Sequence, residues 1–309
     1  MQLQQLAYFV AVADLRHFTR AAAQVGVAQP SLSQQIKALE RDLGASLFQR
    51  ARGNLTLTDA GEALLPIARR ILADTETARR AVLEVAVLGR GRVRLGATPS
   101  LCTGLLPAML GAFRAEHPGI ELILHESGSR DLQRALTEGA LDLALVIDAR
   151  LGDDDPLQIV PLVTEDLVVV SPPDGPPLLD APEMTVAGLE GLPLVMFRDG
   201  YDLRETVVDA CRAAGFEATF AIEGGELDAV LQFVRAGLGV AVVPSTVGYD
   251  RFRVTPFSAP GLARTVLLAR RRDLEPPRAA RALGRHMLDF LARAAATNTL
   301  PPGTRLPEA

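Results

Sequence analysis

One face of a helix would present polar and basic side chains at Ser31, Ser33, Gln34, Lys37 and Arg41, and Gln29 would lie at the start of that helix. Glutamine and serine side chains can exchange hydrogen bonds with the edges of base pairs, and a lysine can neutralise a phosphate. We therefore predict that this face binds the major groove of DNA. The candidate residues are Gln29, Ser31, Ser33, Gln34 and Lys37.

Three short helices are predicted to position that face. Apolar residues recur at helical spacing over residues 3–14, and a second helix is expected over 20–25 with Thr19 as its N-cap. Pro30 suits the first turn of a third helix, so we add Thr19 and Pro30 to the candidate DNA-binding residues. The pattern is typical of a helix-turn-helix at residues 18–37. The alternative is an ordinary three-helix core whose exposed face is polar.

A short hairpin is predicted directly after these helices. Arg50 and Arg52 precede a Gly53-Asn54 pair, which favours a tight turn, and leucines then alternate as in a strand. Arginines at the tip of such a wing could reach phosphates or the minor groove of DNA. The alternative is a solvent-exposed hairpin whose arginines bind nothing.

Charge is distributed unevenly along the 309-residue chain. The formal net charge is -5, but residues 1–92 contain 12 basic and 8 acidic residues, a net charge of +4. Residues 93–309 contain 20 basic and 29 acidic residues, a net charge of -9. A basic end on an acidic protein indicates that this end meets a polyanion.

One long helix is predicted after the hairpin, over residues 59–88 with Thr58 as its N-cap. Small and apolar residues repeat on it at intervals of three and four, so it carries an apolar stripe that needs a partner surface. A second copy of the helix would provide that surface. The alternative is packing against the C-terminal domain of its own chain. Gly89 and Gly91 then break the helix before the next strand.

Strand-like and helix-like segments alternate from about residue 91, which predicts an α/β domain with largely parallel sheets. The expected strands lie near residues 93–97, 120–126, 142–147, 166–171, 193–197, 218–222, 239–243 and 264–269. The expected helices lie near residues 104–116, 130–138, 203–214, 226–236 and 278–296. The segments 161–165 and 264–269 are predicted to cross between two lobes.

The fold predicted from these patterns is an N-terminal winged helix-turn-helix, a long linker helix, and a two-lobed α/β domain like that of periplasmic binding proteins. The predicted boundaries are 1–58 for the winged helix-turn-helix, 59–90 for the linker helix and 91–297 for the two-lobed domain. Lobe I is expected over about 91–161 and 268–297, and lobe II over about 162–267. The proline-containing tail, 298–309, is expected to be disordered.

A ligand site is predicted beyond the carboxyl ends of the strands, where helix N-termini present free amides. Thr98 and Ser100 follow the first strand and Ser129 follows the next, so their hydroxyls could hold a small carboxylate. The corresponding residues of lobe II are Arg198, Asp199, Gly200 and Tyr201. The arginine could pair with an anion in a bidentate manner. The alternative is that the hydroxyls cap helices and that Arg198 pairs with Asp199.

Residues 18–61 resemble the DNA-binding signature of LysR-type transcriptional regulators. The matching residues are Phe18, Thr19, Ala21, Ala22, Gln29, Pro30, Ser31, Ser33, Ile36, Leu39, Glu40, Leu43, Gly44, Leu47, Phe48, Arg50, Leu57, Thr58 and Gly61. So many residues at fixed spacings make the match specific, and the rest of the chain follows the family layout more loosely.

The resemblance implies a bacterial transcription regulator that binds an interrupted palindrome in promoter DNA. It implies a homodimer paired through residues 59–88, a homotetramer formed from two such dimers, and a small-molecule effector in the cleft between the lobes. The family's effector pocket is built from the positions of Ser100 and Ser129 and from the loop after the 193–197 strand. We expect no cofactor.

The two cysteines leave a thiol-based redox regulator open as an alternative. Residues 199–211 resemble the segment that carries two redox cysteines in the peroxide-sensing branch of the family. Cys211 matches the second of them, but Asp202 stands at the first position, so that disulfide switch is not available. Cys102 has no activating neighbour in sequence. A further alternative is a solute-binding protein whose N-terminal helices only oligomerise.

Composition and motifs argue against other classes. Hydrophobic residues make up 48 % and charged residues 22 % of the chain, which is typical of globular proteins. Two cysteines and four scattered histidines provide no metal-ligand spacing. A P-loop, a dinucleotide fingerprint and a G-x-S-x-G motif are all missing from the sequence, so we do not expect an enzyme. Without a signal peptide or a long apolar run, we expect a cytoplasmic protein with no membrane partner.

Overall fold

The computed structural model describes residues 1–51, 54–86, 91–147, 155–174, 182–247 and 251–307. The chain folds into two compact units. The first comprises Met1–Leu88 together with Thr137–Ala140, and the second comprises Gly89–Leu136 and Leu141–Ala309. Three residues named above lie outside the described residues: Arg52, Gly53 and Gly89.

Helices dominate the first unit. Its elements are α1 (Leu3–Leu15), α2 (Phe18–Gln24), α3 (Gln29–Leu43), β1 (Phe48–Ala51), β2 (Asn54–Leu57) and α4 (Asp59–Ala86). The apolar faces of α1, α2 and α3 form one core in which Phe9, Leu32 and Leu39 are fully buried. Short helices are marginal in isolation, so this shared core is what stabilises them.

Capping residues decide where the short helices begin and end. Pro30 lies in the first turn of α3 as predicted, because a proline there loses only an amide that has no partner. Gly44 ends α3 with a left-handed φ of 69°. The predicted start of α2 was wrong, since the helix begins before Thr19. The His17 Nδ1 atom accepts a hydrogen bond from the Arg20 amide (3.4 Å) and serves as the cap.

Helix α4 starts directly after Thr58 and is 28 residues long. The Thr58 hydroxyl accepts a hydrogen bond from the Gly61 amide (3.1 Å) and donates one to the Ser46 carbonyl (2.6 Å). The first turns of α4 pack against the core of the first unit. The Ile67 and Val82 side chains, by contrast, are 55 % and 71 % exposed. The apolar surface of α4 is therefore only partly covered within this unit.

The second unit contains mixed helices and strands. Its strands are β3 (Gly91–Ala97), β4 (Ile120–Glu126), β5 (Leu143–Ile147), β6 (Leu157–Ser171), β7 (Leu194–Phe197), β8 (Phe220–Gly225), β9 (Ala241–Pro244), β10 (Arg253–Pro256), β11 (Ala263–Arg271) and β12 (Thr304–Arg305). Its helices are α5 (Pro99–Thr103), α6 (Leu106–Glu116), α7 (Ser129–Thr137), α8 (Asp202–Ala213), α9 (Leu227–Arg235) and α10 (Arg278–Ala296), with a short 3₁₀ helix at Val186–Leu189. Across the described ranges, no helix is both long and apolar enough to span a bilayer.

Strand β6 is the longest strand and runs through both halves of the second unit. Its first part pairs antiparallel with β11, and its second part pairs antiparallel with β9 and β10. The main sheet has the order β10-β6-β11-β5-β3-β4, in which β3 is parallel to β4 and β5. The sheet is therefore mixed rather than largely parallel, because the strands that contain residues 161–165 and 264–269 pair antiparallel.

The two largest hydrophobic cores of the second unit both include residues of the crossing strands. We call lobe I the part built around Leu95, Phe113 and Leu283, and lobe II the part built around Phe197 and Val230. Strands β7 and β8 form a parallel pair within lobe II. The lobes share β6, so residues near its middle can contact both of them.

The prediction that the C-terminal tail is disordered was wrong for its described residues. Described residues continue to 307, and Thr304–Arg305 forms β12, which pairs antiparallel with β6. Leu300 packs against the core of lobe I. The prediction failed because it weighed only the composition of the tail, whereas the free edge of β6 supplies partners for its backbone.

Candidate functional site

Helix α3 turns a polar face to solvent in the first unit. Leu32, Ile36 and Leu39 point into the core, which directs the intervening residues outward. The predicted DNA-binding residues of α3 therefore share one helix face. Among them Pro30, Ser31, Gln34 and Lys37 are exposed, and Gln29 and Ser33 are half-buried.

The polar side chains on this face make few internal contacts. Within the described part of the chain, no hydrogen bond or ion pair engages the side chains of Gln29, Ser31, Ser33, Gln34 and Lys37. Thr19 is exposed on α2. Arg41 lies one turn beyond Lys37, and its Nε atom donates to the Lys37 carbonyl (3.3 Å). A helix face with unused donors and acceptors and two cations matches the chemistry of a DNA groove.

A carboxylate on α3 fixes the hairpin relative to the polar face. Glu40 accepts hydrogen bonds from the backbone amides of Leu47 (2.8 Å) and Phe48 (3.4 Å). The Phe48 ring packs against Phe9, with ring centroids 5.4 Å apart. Strands β1 and β2 then pair antiparallel as predicted, and for Arg50 only the backbone is described. Sequence reasoning matched Glu40 to the family signature without assigning it this role.

In the second unit, the predicted cleft residues of lobe I meet the start of α8 in lobe II. Thr98, Ser100, Ser129 and Tyr201 are each at most 2 % exposed. The Thr98 and Ser100 hydroxyl oxygens are 3.5 Å apart. The Tyr201 ring stacks on Phe197, with ring centroids 4.7 Å apart. The structure therefore brings these four predicted residues together in a closed cleft.

Asp202 is a cleft residue that sequence reasoning did not select. The Ser129 hydroxyl donates to the Asp202 carboxylate (2.7 Å) and accepts from the Ile147 amide (3.0 Å), so one hydroxyl links the two lobes. Burial raises the pKa of Asp202, against the opposite effects of this hydrogen bond and of the Arg264 charge. The carboxylate that binds the Ser129 hydroxyl is therefore that of Asp202, at the place where we had predicted the carboxylate of a ligand.

A buried ion pair at the centre of the cleft was also missed from the sequence. The Arg264 side chain is 1 % exposed and pairs with Glu165, 0 % exposed, at an Nη2 to Oε2 distance of 2.5 Å. Arg264 Nη2 also donates to the Ser100 hydroxyl (2.9 Å), and the Thr246 hydroxyl donates to Glu165 (2.7 Å). The only sequence signal was one charged residue inside each predicted crossing segment.

Donors remain without an acceptor beside this pair. Arg264 Nη1 and the Tyr201 hydroxyl are buried and find no hydrogen-bond partner among the described residues. Burial raises the pKa of Tyr201, against the opposite effects of the Arg264 charge and of the neighbouring Ser100 hydroxyl. Buried polar groups are normally satisfied, so these two donors are the groups of the cleft that a small acceptor could engage.

Arg198 and Asp199 lie at the outer rim of the cleft and are engaged elsewhere. Arg198 Nε donates to Glu226 (2.5 Å), and its Nη1 atom donates to the Asp199 carbonyl (3.3 Å). The Asp199 carboxylate pairs with Arg204 (2.9 Å). Gly200 follows with a left-handed φ of 76°. Arg264 is therefore the arginine that contacts the buried hydroxyl of Ser100, and Arg198 lies at the rim.

Both cysteines are poorly suited to redox chemistry. Burial and the neighbouring Glu126 carboxylate raise the pKa of Cys102 to about 12. Burial likewise raises the pKa of Cys211, which is fully buried. The thiolate is the reactive form of cysteine, so neither residue is activated. In the described ranges, no cluster of His, Cys, Asp and Glu side chains could hold a metal ion.

Comparisons with known proteins identify the family of both parts of the chain. Residues 3–62 match the model of the bacterial regulatory helix-turn-helix protein, lysR family, and residues 87–292 match the LysR substrate binding domain. The chain is 31 % identical to the transcriptional dual regulator GltC of Bacillus subtilis, over 89 % of this chain and 93 % of that protein. It is 33 % identical to a probable hydrogen peroxide-inducible genes activator of Mycobacterium avium, over 84 % of each.

Solved structures show the same organisation. A full-length OxyR variant from Pseudomonas aeruginosa superposes with a TM-score of 0.70 at 28 % identity, over 93 % of this chain and 94 % of that one. The LysR substrate binding domain model alone matches more than half of the chain, residues 87–292. The protein therefore belongs to the LysR family of transcriptional regulators.

Proposed function

We propose that α3 enters the major groove of promoter DNA and reads base edges with its polar face. The observation that supports this assignment is that, among the described residues, the side chains of Gln29, Ser31, Ser33, Gln34 and Lys37 have no hydrogen-bond or ion-pair partner. Thr19 and Pro30 lie at the starts of α2 and α3, where backbone amides can meet phosphates. Arg50 and Arg52 in the wing would contact phosphates or the minor groove.

Changes on the polar face should alter discrimination between DNA sequences. We expect Ser33→Ala and Gln34→Ala each to reduce the preference for the specific site by about 1–3 kcal/mol, because each removes a hydrogen bond to a base edge. The measurement is competition between the operator, obtained by selecting binding sites from genomic DNA, and random DNA at one salt concentration. Gln4→Ala on α1 is the matched control and should change neither affinity. Equal losses on both DNAs would contradict base readout.

We propose that the effector binds in the cleft between the lobes and carries a hydrogen-bond acceptor, for which a small carboxylate is the candidate. The unsatisfied donors of Arg264 and Tyr201 support an acceptor at this place. Thr98 and Ser100 supply hydroxyls next to it, Ser129 would act there with its hydroxyl donated to Asp202, and Arg198, Asp199 and Gly200 would form its outer rim. The cleft is closed over these hydroxyls, so a ligand must bind a more open state.

We propose a homodimer formed through residues 59–88 and a homotetramer that binds an interrupted palindrome. The exposed apolar side chains of Ile67 and Val82 on α4 support a partner at that helix. An effector that favours one state of the lobes would shift how the paired DNA-binding units are placed. The size of this shift is limited by the differential affinity of the effector for the two states.

We propose a regulatory role without catalysis, located in the cytoplasm. The relatives named above are transcription regulators, and a protein that binds promoters must reach the chromosome. Neither thiol is an activated nucleophile, since both have raised pKa values. A thiol-based mechanism is therefore not favoured.

A further inference from the structure

Residues 303–305, near the C-terminus, pair with the edge of β6 at the cleft. Thr304 lies opposite Glu165, and Arg305 lies opposite Thr164. The Asp166 amide donates to the Gly303 carbonyl (2.7 Å). On the same strand edge, the Ser245 amide donates to the Asp166 carbonyl (2.8 Å), so residue 303 follows directly where β9 leaves off. We call residues 303–305 the C-terminal strap.

Side chains make the strap specific to this position. Arg305 forms an ion pair with Asp166. Gly303 has a left-handed φ of 71°, and a Cβ atom there would lie 2.6 Å from the Ser245 hydroxyl oxygen, so glycine fits where a larger residue would not. The Thr304 hydroxyl donates to the Pro301 carbonyl (2.6 Å), which shapes the turn before the strand. The strap is thus held at this position by specific side-chain contacts.

Glu165 connects the strap to the cleft. Its backbone pairs with Thr304, while its carboxylate binds Arg264 and Thr246. Arg264 in turn donates to Ser100 in lobe I. Two hydrogen-bonded steps therefore lead from the backbone of β6 to lobe I. The strap itself pairs with β6 on the edge away from β11.

We propose that the C-terminal strap is a positioning element for the cleft: it holds Glu165 in register and thereby keeps Arg264 on Ser100 in the closed state. The consequence for effector response rests on the proposed function, but the positioning itself does not. Without the strap, the edge of β6 at residues 164–166 has no strand partner on that side, and the carboxylate that anchors Arg264 is less constrained. The closed state should then open more often.

Truncation can separate this role from ordinary packing. A truncated chain that ends after Pro302 loses the strap but keeps Leu300, which packs against the core of lobe I. The control ends after Leu306 and keeps the strap. Hydrogen exchange is then followed at two segments, 162–168 in β6 and 98–104 in lobe I. The second segment includes Ser100 and belongs to the opposite side of the cleft.

We expect exchange in both segments to become about tenfold faster in the chain ended after Pro302, and unchanged in the control. Arg305→Glu should have the same effect in a smaller degree, and the exchanged pair Arg305→Glu with Asp166→Arg should restore slow exchange at 98–104. These two full-length variants keep the test valid if the truncated chain does not fold. Faster exchange at 162–168 alone, with 98–104 unchanged, would overturn the proposal. Failure of DNA binding would not affect this result.

Discussion

Replacing Arg264 with methionine should destabilise the protein by about 3–5 kcal/mol, because it leaves the buried carboxylate of Glu165 without its counter-charge. The Arg264 and Glu165 side chains are 1 % and 0 % exposed, so water cannot solvate the remaining charge. Urea unfolding of the full chain, followed by circular dichroism, measures the loss. We further expect Arg264→Met combined with Glu165→Leu to recover much of it, since the uncompensated charge is then removed.

The matched control for this prediction is Arg198→Ala at the rim of the cleft. Arg198 pairs with Glu226, but the two side chains are 37 % and 51 % exposed. An ion pair in contact with solvent contributes little, so we expect a loss below about 1 kcal/mol. Equal losses for the two arginines would contradict the view that the central pair organises the cleft.

Replacing Gly61 with alanine should destabilise the first unit by about 3 kcal/mol and abolish DNA binding. A Cβ atom at this position would lie 2.2 Å from the Leu47 carbonyl oxygen and 2.9 Å from a Leu57 methyl carbon. The first contact is with backbone, so the hairpin or the start of α4 must move, and overpacking of this kind is costly. The hairpin is the wing proposed to contact DNA, so its displacement also removes those contacts.

Gly111→Ala on α6 is the control for the glycine substitution. A Cβ atom at Gly111 would have no heavy atom within 4 Å, so alanine should stabilise the helix by about 0.5–1 kcal/mol. Unfolding of both variants by urea, together with an electrophoretic shift on the selected operator, measures the two effects. A Gly61→Ala protein that unfolds like the parent and still binds DNA would refute the packing account of the wing.

Much of the first unit could be predicted because its signals are local. The leucine stripe of α3 and the proline at its start depend on residues a few positions apart, so helical spacing reveals them. The cap of α2 was wrong because Thr19 and His17 both provide an acceptor, and only the backbone geometry decides between them. In this unit, the predicted start of α2 and its predicted cap differ from the structure by two residues.

The centre of the cleft could not be predicted because its contacts join distant parts of the chain. Glu165 and Arg264 are 99 positions apart, and nothing in the sequence near either residue points to the other. Arg198 was chosen instead because it follows a strand end, where anions commonly bind. The strap was missed for the same reason: its partner, the edge of β6, exists only once the sheet is formed.

A selection of binding sites tests the central claim most directly. Purified full-length protein is mixed with fragments of its own genome, and the bound DNA is sequenced with and without a panel of small carboxylates. The account predicts an interrupted palindrome, protected over a length too great for one dimer, with a footprint that changes in the presence of at least one carboxylate. No enrichment over random DNA at low salt would contradict it.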